Sequence, residues 1–228
     1  GLQGHLKALA TTDIYTYLSA RHELTTVALL LGISVSKLGT QDKSTTGTLS
    51  LHVPSLVVGA DLDLPMESQT AALLGLGLLY CKSAHRFMSE VLLGELARPP
   101  DDNVNSDLRE GYALAAGIGL GFVCLARGNI QELHDLQIEQ KLLRYMIGGA
   151  RPEKDPLLLR QRFLHEQDLV NPNATNKRSN SSSHWGAAYS NKVQENEAFV
   201  NVDITGPGAC LALTLMYLQT NNKDIASQ

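Results

Sequence analysis

Aromatic side chains are scarce in this chain. Phenylalanine, tyrosine and tryptophan make up 5% of its 228 residues, and Trp185 is the only tryptophan. Large rings supply much of the buried area of an ordinary core, so packing has to come from other residues. Cysteine is sparse too. Cys81, Cys124 and Cys210 lie in apolar runs, without C-x-x-C spacing and in odd number. That pattern predicts buried, reduced thiols of an intracellular protein rather than a zinc site or a disulfide framework. The sequons at Asn173 and Asn180 matter only in a secreted chain, and no signal peptide supports one.

There is no basic surplus. Nineteen Lys and Arg against 23 Asp and Glu leave a net charge of −4, which argues against a dedicated nucleic-acid binder. The histidines, His5, His22, His52, His85, His134, His165 and His184, form no H-x-x-x-H or H-E-x-x-H pair, so no metal site is predicted. G-x-S-x-G is missing, and Asp61 and Asp63 in "DLDLP" read as a solvated pair on a connecting loop. The sequence therefore predicts no catalytic residue, no cofactor, no metal and no small-molecule ligand. A long apolar run is also lacking. The longest, Gly111 to Ala126 between Glu110 and Arg127, holds 16 residues, against about 17–25 for a membrane span. Small-x-x-x-small pairs do occur in membrane helices, so a multispan membrane segment stays open as an alternative class.

What is present is a repeat. Four apolar runs, "VALLLGISVSKLGTQD" (27–42), "AALLGLGLLYCKSAH" (71–85), "LAAGIGLGFVCLARGN" (114–129) and "PGACLALTLMYLQTNN" (207–222), superimpose on their small residues. Ala28, Ala71, Ala115 and Gly208 share one position. Gly32, Gly75, Gly119 and Ala212 share a second, four residues on. Ser34, Gly77, Gly121 and Thr214 share a third. Gly32 to Gly75 is 43 residues, Gly75 to Gly119 is 44, and Gly119 to Ala212 is 93. A period near forty marks helix-pair arrays, and the last interval holds one repeat plus an insertion.

Positions i and i+4 share a helical face, so each run carries a stripe of small residues on an otherwise apolar helix. Such a helix is buried on several sides. Glycine weakens it by about 1 kcal/mol relative to alanine, and close packing of a neighbour offsets that loss. The glycines of "GIGLG" also come close to a dinucleotide-binding fingerprint, but that needs a strand before them and a helix opening after them. Here Glu110 leads straight into a helical pattern.

An amphipathic outer helix follows each run. It is clearest in "SAHRFMSEVLLGELA" (83–97), where Phe87, Val91, Leu92 and Leu93 form the apolar set and Pro99-Pro100 stops it. The third repeat has "DLQIEQKLLRYMIGG" (135–149), ended by Gly148-Gly149. The first repeat's candidate, within 42–54, is poor, because threonines and Gly47 weaken it and Pro54 ends it. Residues 55–66 read as an extended connection. The expected organisation is all-α: helical-hairpin repeats over 1–150 with an N-terminal lead-in, a polar disordered insertion at 151–198, and a further repeat beginning at 199–228, stacked as an α-solenoid or α-α toroid. The insertion is rich in Asn and Ser and cannot bury enough apolar surface to order itself. With Gly1 at its start and an apparent new helix at "NNKDIASQ", the chain is expected to be part of a longer protein.

The "ALLGLGLLY…SAHR" pattern resembles the proteasome/cyclosome repeat. The ordered series "GHLKALATTDIYTYL", "VALLLGISVSKLGTQD", "SAHRFMSEVLLGELARPP", "REGYALAAGIGLGFVCLARGN" and "VNVDITGPGACLALTLMYLQTNNKDIA" is similar to the family of subunit 1 of the anaphase-promoting complex. The resemblance covers nearly all of 1–150 and 199–228. It implies a toroid of helical hairpins and a non-catalytic scaffold role in a multisubunit E3 ubiquitin ligase of mitosis, in nucleus and cytoplasm. The partners it implies are the Doc-domain subunit, the coactivator and neighbouring scaffold subunits. The scaffold of the proteasome regulatory particle is the alternative within the repeat class. One departure stands out: Lys82 and Ala126 occupy the place that Gly39 holds at the end of the first repeat helix, so those turns are expected to lack a left-handed cap.

Overall fold

The structure is a computed structural model that describes residues 6, 9, 11–57, 64–98, 106–128, 133, 136–148, 201–220 and 222. The 151–198 insertion, Asp61, Asp63, Trp185 and both sequons lie outside the described residues. Eight α-helices are described: α1 (Thr11–Ser19), α2 (Glu23–Ser36), α3 (Lys43–Ser50), α4 (Met66–Leu79), α5 (Arg86–Ala97), α6 (Ser106–Val123), α7 (Ile138–Ile147) and α8 (Val202–Met216). No strand occurs among the described residues. The chain is all-α.

Helices α2, α4, α6 and α8 are the four glycine-rich runs, and each packs against the next. Helices α3 and α5 follow α2 and α4 as their outer partners, and α7 packs against α8. The core is built mainly from the inner helices, with Leu73, Leu76, Leu79, Ala116, Leu120 and Ala209 fully buried.

The N-terminus of each outer helix explains where it starts. The Asp42 carboxylate accepts from the Thr45 N–H at 2.9 Å and from the Lys37 ammonium at 2.9 Å. That cap lets α3 form despite Gly47 and its threonines, so the weak candidate is a real helix of eight residues. In α5 the cap is His85, whose Nδ1 accepts from the Met88 N–H at 3.4 Å. Ser83 to His85 therefore belong to the turn, not to the helix. Between α3 and α4 the chain makes a 3₁₀ turn at Pro54–Leu56 rather than running extended throughout.

The turns correct the expectation about left-handed caps. Lys82 (φ 61°) and Ala126 (φ 58°) take the same left-handed conformation as Gly39 (φ 69°), and Gln219 (φ 61°) at the matching place in the fourth repeat does so as well. Such a φ is unfavourable for a residue with a Cβ. The backbone hydrogen bonds give the reason. Gly39 and Gln41 donate to the carbonyls of Leu78 and Leu79 (3.0 and 3.1 Å), Lys82 and Ala84 to Phe122 and Val123 (2.9 Å each), and Ala126 and Gly128 to Leu215 and Met216 (3.1 and 3.0 Å). Those acceptors are the last two residues of α4, α6 and α8, whose carbonyls have no partner within their own helix. Each turn thus caps the C-terminus of the next inner helix.

Candidate functional site

Chemistry on this chain is concentrated at the seams between repeats. At the small-residue positions the backbones of adjacent inner helices touch. A methyl added at Gly77 lands 2.3 Å from Gly119 Cα, and one at Gly117 lands 2.2 Å from the Gly208 carbonyl oxygen. Gly119 meets the Leu73 carbonyl, Gly208 the Ala113 carbonyl, Gly121 reaches Ala212 and Leu215, and Gly75 faces the Ser34 hydroxyl and Leu49. In repeat coordinates the rule is constant: a small residue in one helix faces the position two residues earlier in the next. This stagger holds parallel helices at backbone contact.

Not every small position takes part. Ala71 and Ala115 are buried, and Ser34 is buried with its hydroxyl donating to the Leu30 carbonyl at 2.6 Å. Gly32 is half-buried against Leu6. Ala28 and Thr214 are exposed, the Thr214 hydroxyl returning to the Cys210 carbonyl of its own helix. The glycines of "GIGLG" lie deep inside α6, well away from the helix N-terminus where an anion would bind.

A second seam contact was not visible in the sequence. The residue just after each inner helix reaches the outer helix of the preceding repeat. Tyr80 Oη lies 3.1 Å from Thr46 Oγ1, Cys124 Sγ 3.4 Å from Ser89 Oγ, and the Tyr217 hydroxyl donates to Glu139 at 2.9 Å. Burial and the Glu139 carboxylate push the Tyr217 hydroxyl up to about 12. The only clue was positional: Tyr80, Cys124 and Tyr217 share one repeat register. Burial raises the Cys124 thiol. Cys81 is half-buried and Cys210 is exposed, which corrects the expectation of three buried cysteines: Cys210 sits on the side of α8 that no described helix covers.

Helix α5 also corrects the face read from its apolar residues. Its buried side carries Met88, Ser89, Leu92, Leu93, Glu95 and Leu96, whereas Phe87 is 52% exposed. Glu95, only 2% exposed, accepts from the Tyr112 hydroxyl at 2.6 Å and from the Ser55 N–H at 3.3 Å. Its carboxylate lies 3.7 Å from the Arg98 guanidinium. Arg109 donates to the carbonyls of Glu95 and Arg98 and stacks 4.9 Å from the Tyr112 ring. A buried carboxylate is tolerable only with such partners, and they come from three elements: α5, α6 and the 3₁₀ turn. Burial, then the Glu95 charge, push the Tyr112 hydroxyl far above its ordinary range.

The opposite face of the inner helices is a broad uncharged surface. Leu31, Leu74, Ile118 and Leu211 occupy one repeat position on it, and Val35, Leu78, Phe122 and Leu215 the next. All eight are partly exposed. Among the described residues no three metal-capable side chains cluster, and no helix is long and apolar enough to cross a membrane.

These features define a class: a stack of helical hairpins joined through glycine-lined seams. Comparison with known proteins narrows it. The family model described as the APC1 fifth domain matches residues 43–228, and the APC1 fourth domain matches residues 1–38. Anaphase-promoting complex subunit 1 of Mus musculus is 42% identical over 231 residues, covering 99% of this chain and 10% of that protein. The protein of the same name from Arabidopsis thaliana is 37% identical over 231 residues, covering 100% and 12%. The "Negative regulator of mitosis" of Emericella nidulans is 43% identical over 155 residues, covering 65% and 8%. The chain belongs to the anaphase-promoting complex subunit 1 family, and the proteasome-scaffold alternative gives way to that match. It spans about a tenth of the length of the curated relatives it matches. The boundary between the two family domains, between Leu38 and Lys43, falls inside the α2–α3 turn that caps α4.

Proposed function

We propose that this chain is a non-catalytic scaffold segment of the anaphase-promoting complex, a multisubunit E3 ubiquitin ligase of the cell cycle acting in nucleus and cytoplasm. Its repeats hold neighbouring subunits, the Doc-domain subunit and the coactivator in place, without nucleic acid, membrane or cofactor. The observation that carries this reading is where the polar groups go. The buried Glu95, Tyr112, Arg109 and Ser89 and the left-handed turns all join one helix to another. Rigid repeat stacks of this kind serve as extended binding surfaces, and the broad apolar face of the inner helices offers one.

The test is affinity purification of the tagged full-length protein from mitotic cells. The other ligase subunits should co-purify in fixed ratio. Replacing both Gly77 and Gly117 by Leu, which splits two seams, should release them. Purification of the protein without partners, or unchanged recovery with the seams split, overturns the scaffold reading.

A further inference from the structure

Gly94 sits in the middle of α5, where glycine weakens a helix. At the inner seams that weakness is offset by backbone contact. Around Gly94 a Cβ meets nothing within 4 Å. Gly47 and Gly111 are open in the same way, but only Gly94 lies in a groove. That groove, of about 480 Å³, runs along the outward side of α5 beside the Pro54–Leu56 turn. Phe87, Val91 and Gly94 follow one another at helical spacing along it, and Leu56 closes the far wall. Phe87, more than half exposed, is a large apolar side chain left without a cover. The walls are held in place, since Glu95 ties the backbone of Ser55 on one wall to Tyr112 beneath the other. Glu95 is paired with Arg98, so the charge left over on the rim is that of the exposed Glu90.

A preformed apolar groove with a glycine at its centre accepts the ridge of a crossing helix, and an acidic rim selects a basic neighbour on it. We propose that the α5 groove is a docking seat for an amphipathic helix of another ligase subunit, with a bulky apolar side chain over Gly94 and a lysine or arginine against Glu90. This rests on the scaffold reading above.

The experiment places a photoreactive benzoylphenylalanine at Ala97, on the groove wall, in the full-length protein within the assembled complex. Irradiation should link it to a helix of a different subunit that carries an apolar anchor and a Lys or Arg within two turns. Gly94→Trp fills the groove from open space, so it should leave the melting temperature unchanged and cut the crosslink about tenfold or more. Glu90→Lys should cut it about two- to fivefold. The proposal is overturned by a crosslink to this same polypeptide or a second copy of it, by a linked segment without a basic residue, by an unchanged crosslink in Gly94→Trp, or by no crosslink at all. If the complex assembles in any of these cases, the groove fails and the scaffold stands. If the complex does not assemble around the wild-type protein, the scaffold reading fails first.

Discussion

Gly117→Ala adds a single methyl to the middle of α6, and its effect separates two accounts of why the glycine is there. Judged by propensity alone, alanine strengthens a helix by about 0.5–1 kcal/mol. The seam says otherwise. The new Cβ falls 2.2, 2.4 and 2.5 Å from the carbonyl oxygen, carbonyl carbon and Cα of Gly208. All three are backbone atoms, so no side chain can swing away. Reaching ordinary contact at 3.4 Å requires α6 and α8 to part by about 1.2 Å. Separation on that scale forfeits dispersion along the whole interface, and overpacking of a filled core costs about 1–3 kcal/mol. With the contact at the severe end of that range, the net loss is about 2 kcal/mol, or about 4–8 °C in melting temperature for a chain of this length. Gly94→Ala is the control: with open space around its Cβ, it should gain about 0.5–1 kcal/mol. Urea and thermal unfolding of both variants read the two signs. A Gly117→Ala protein as stable as wild type, or more so, refutes backbone contact as the reason for the glycine.

The left-handed turns make a second paired prediction. Gly39→Ala should destabilise by about 1 kcal/mol, whereas Ala126→Gly should be neutral or gain up to about 1 kcal/mol, by the same unfolding measurements. Tyr112→Phe removes the hydroxyl that donates to buried Glu95 and should cost about 1–3 kcal/mol, visible as a shift in urea midpoint without a change in slope. Acid should weaken the α3 cap. The Lys37 ammonium, then Thr45, hold the Asp42 carboxyl at about 2, below its ordinary 3.8. The cap's contribution is therefore fully present above about pH 4 and lost as pH falls towards 2. The stability gap between wild type and Asp42→Asn should shrink over that window, and a gap that stays constant to pH 2 contradicts the assignment.

Much of this architecture was legible because it is periodic. Gly32, Gly75 and Gly119 repeat at 43 and 44 residues, and a small residue at a fixed helical place means the same thing each time. What escaped reading was non-local. Ser89 and Glu95 looked like surface residues of an amphipathic helix. Their partners Cys124 and Tyr112 lie 35 and 17 residues away, beyond any local window. Phe87 was misplaced by the same error, since burying Glu95 turns α5 so that Phe87 faces outwards. Lys82, Ala126 and Gln219 hid their left-handed turns because none is glycine. Only the repeat register, which puts them level with Gly39, carried that information. The α5 groove was invisible for a related reason: one wall belongs to a 3₁₀ turn in a stretch that read as extended.

The turn-to-helix capping has a direction, and direction bears on how such a stack is made. Each turn offers two N–H groups to the end of the inner helix that comes after it. A chain is synthesised from its N-terminus, and folding follows in that order. When α4 is complete, the donors of Gly39 and Gln41 are already in place to receive its last carbonyls; when α6 is complete, Lys82 and Ala84 stand ready. Every finished hairpin is a template for its successor, so the stack can lengthen one repeat at a time in the order the ribosome delivers it.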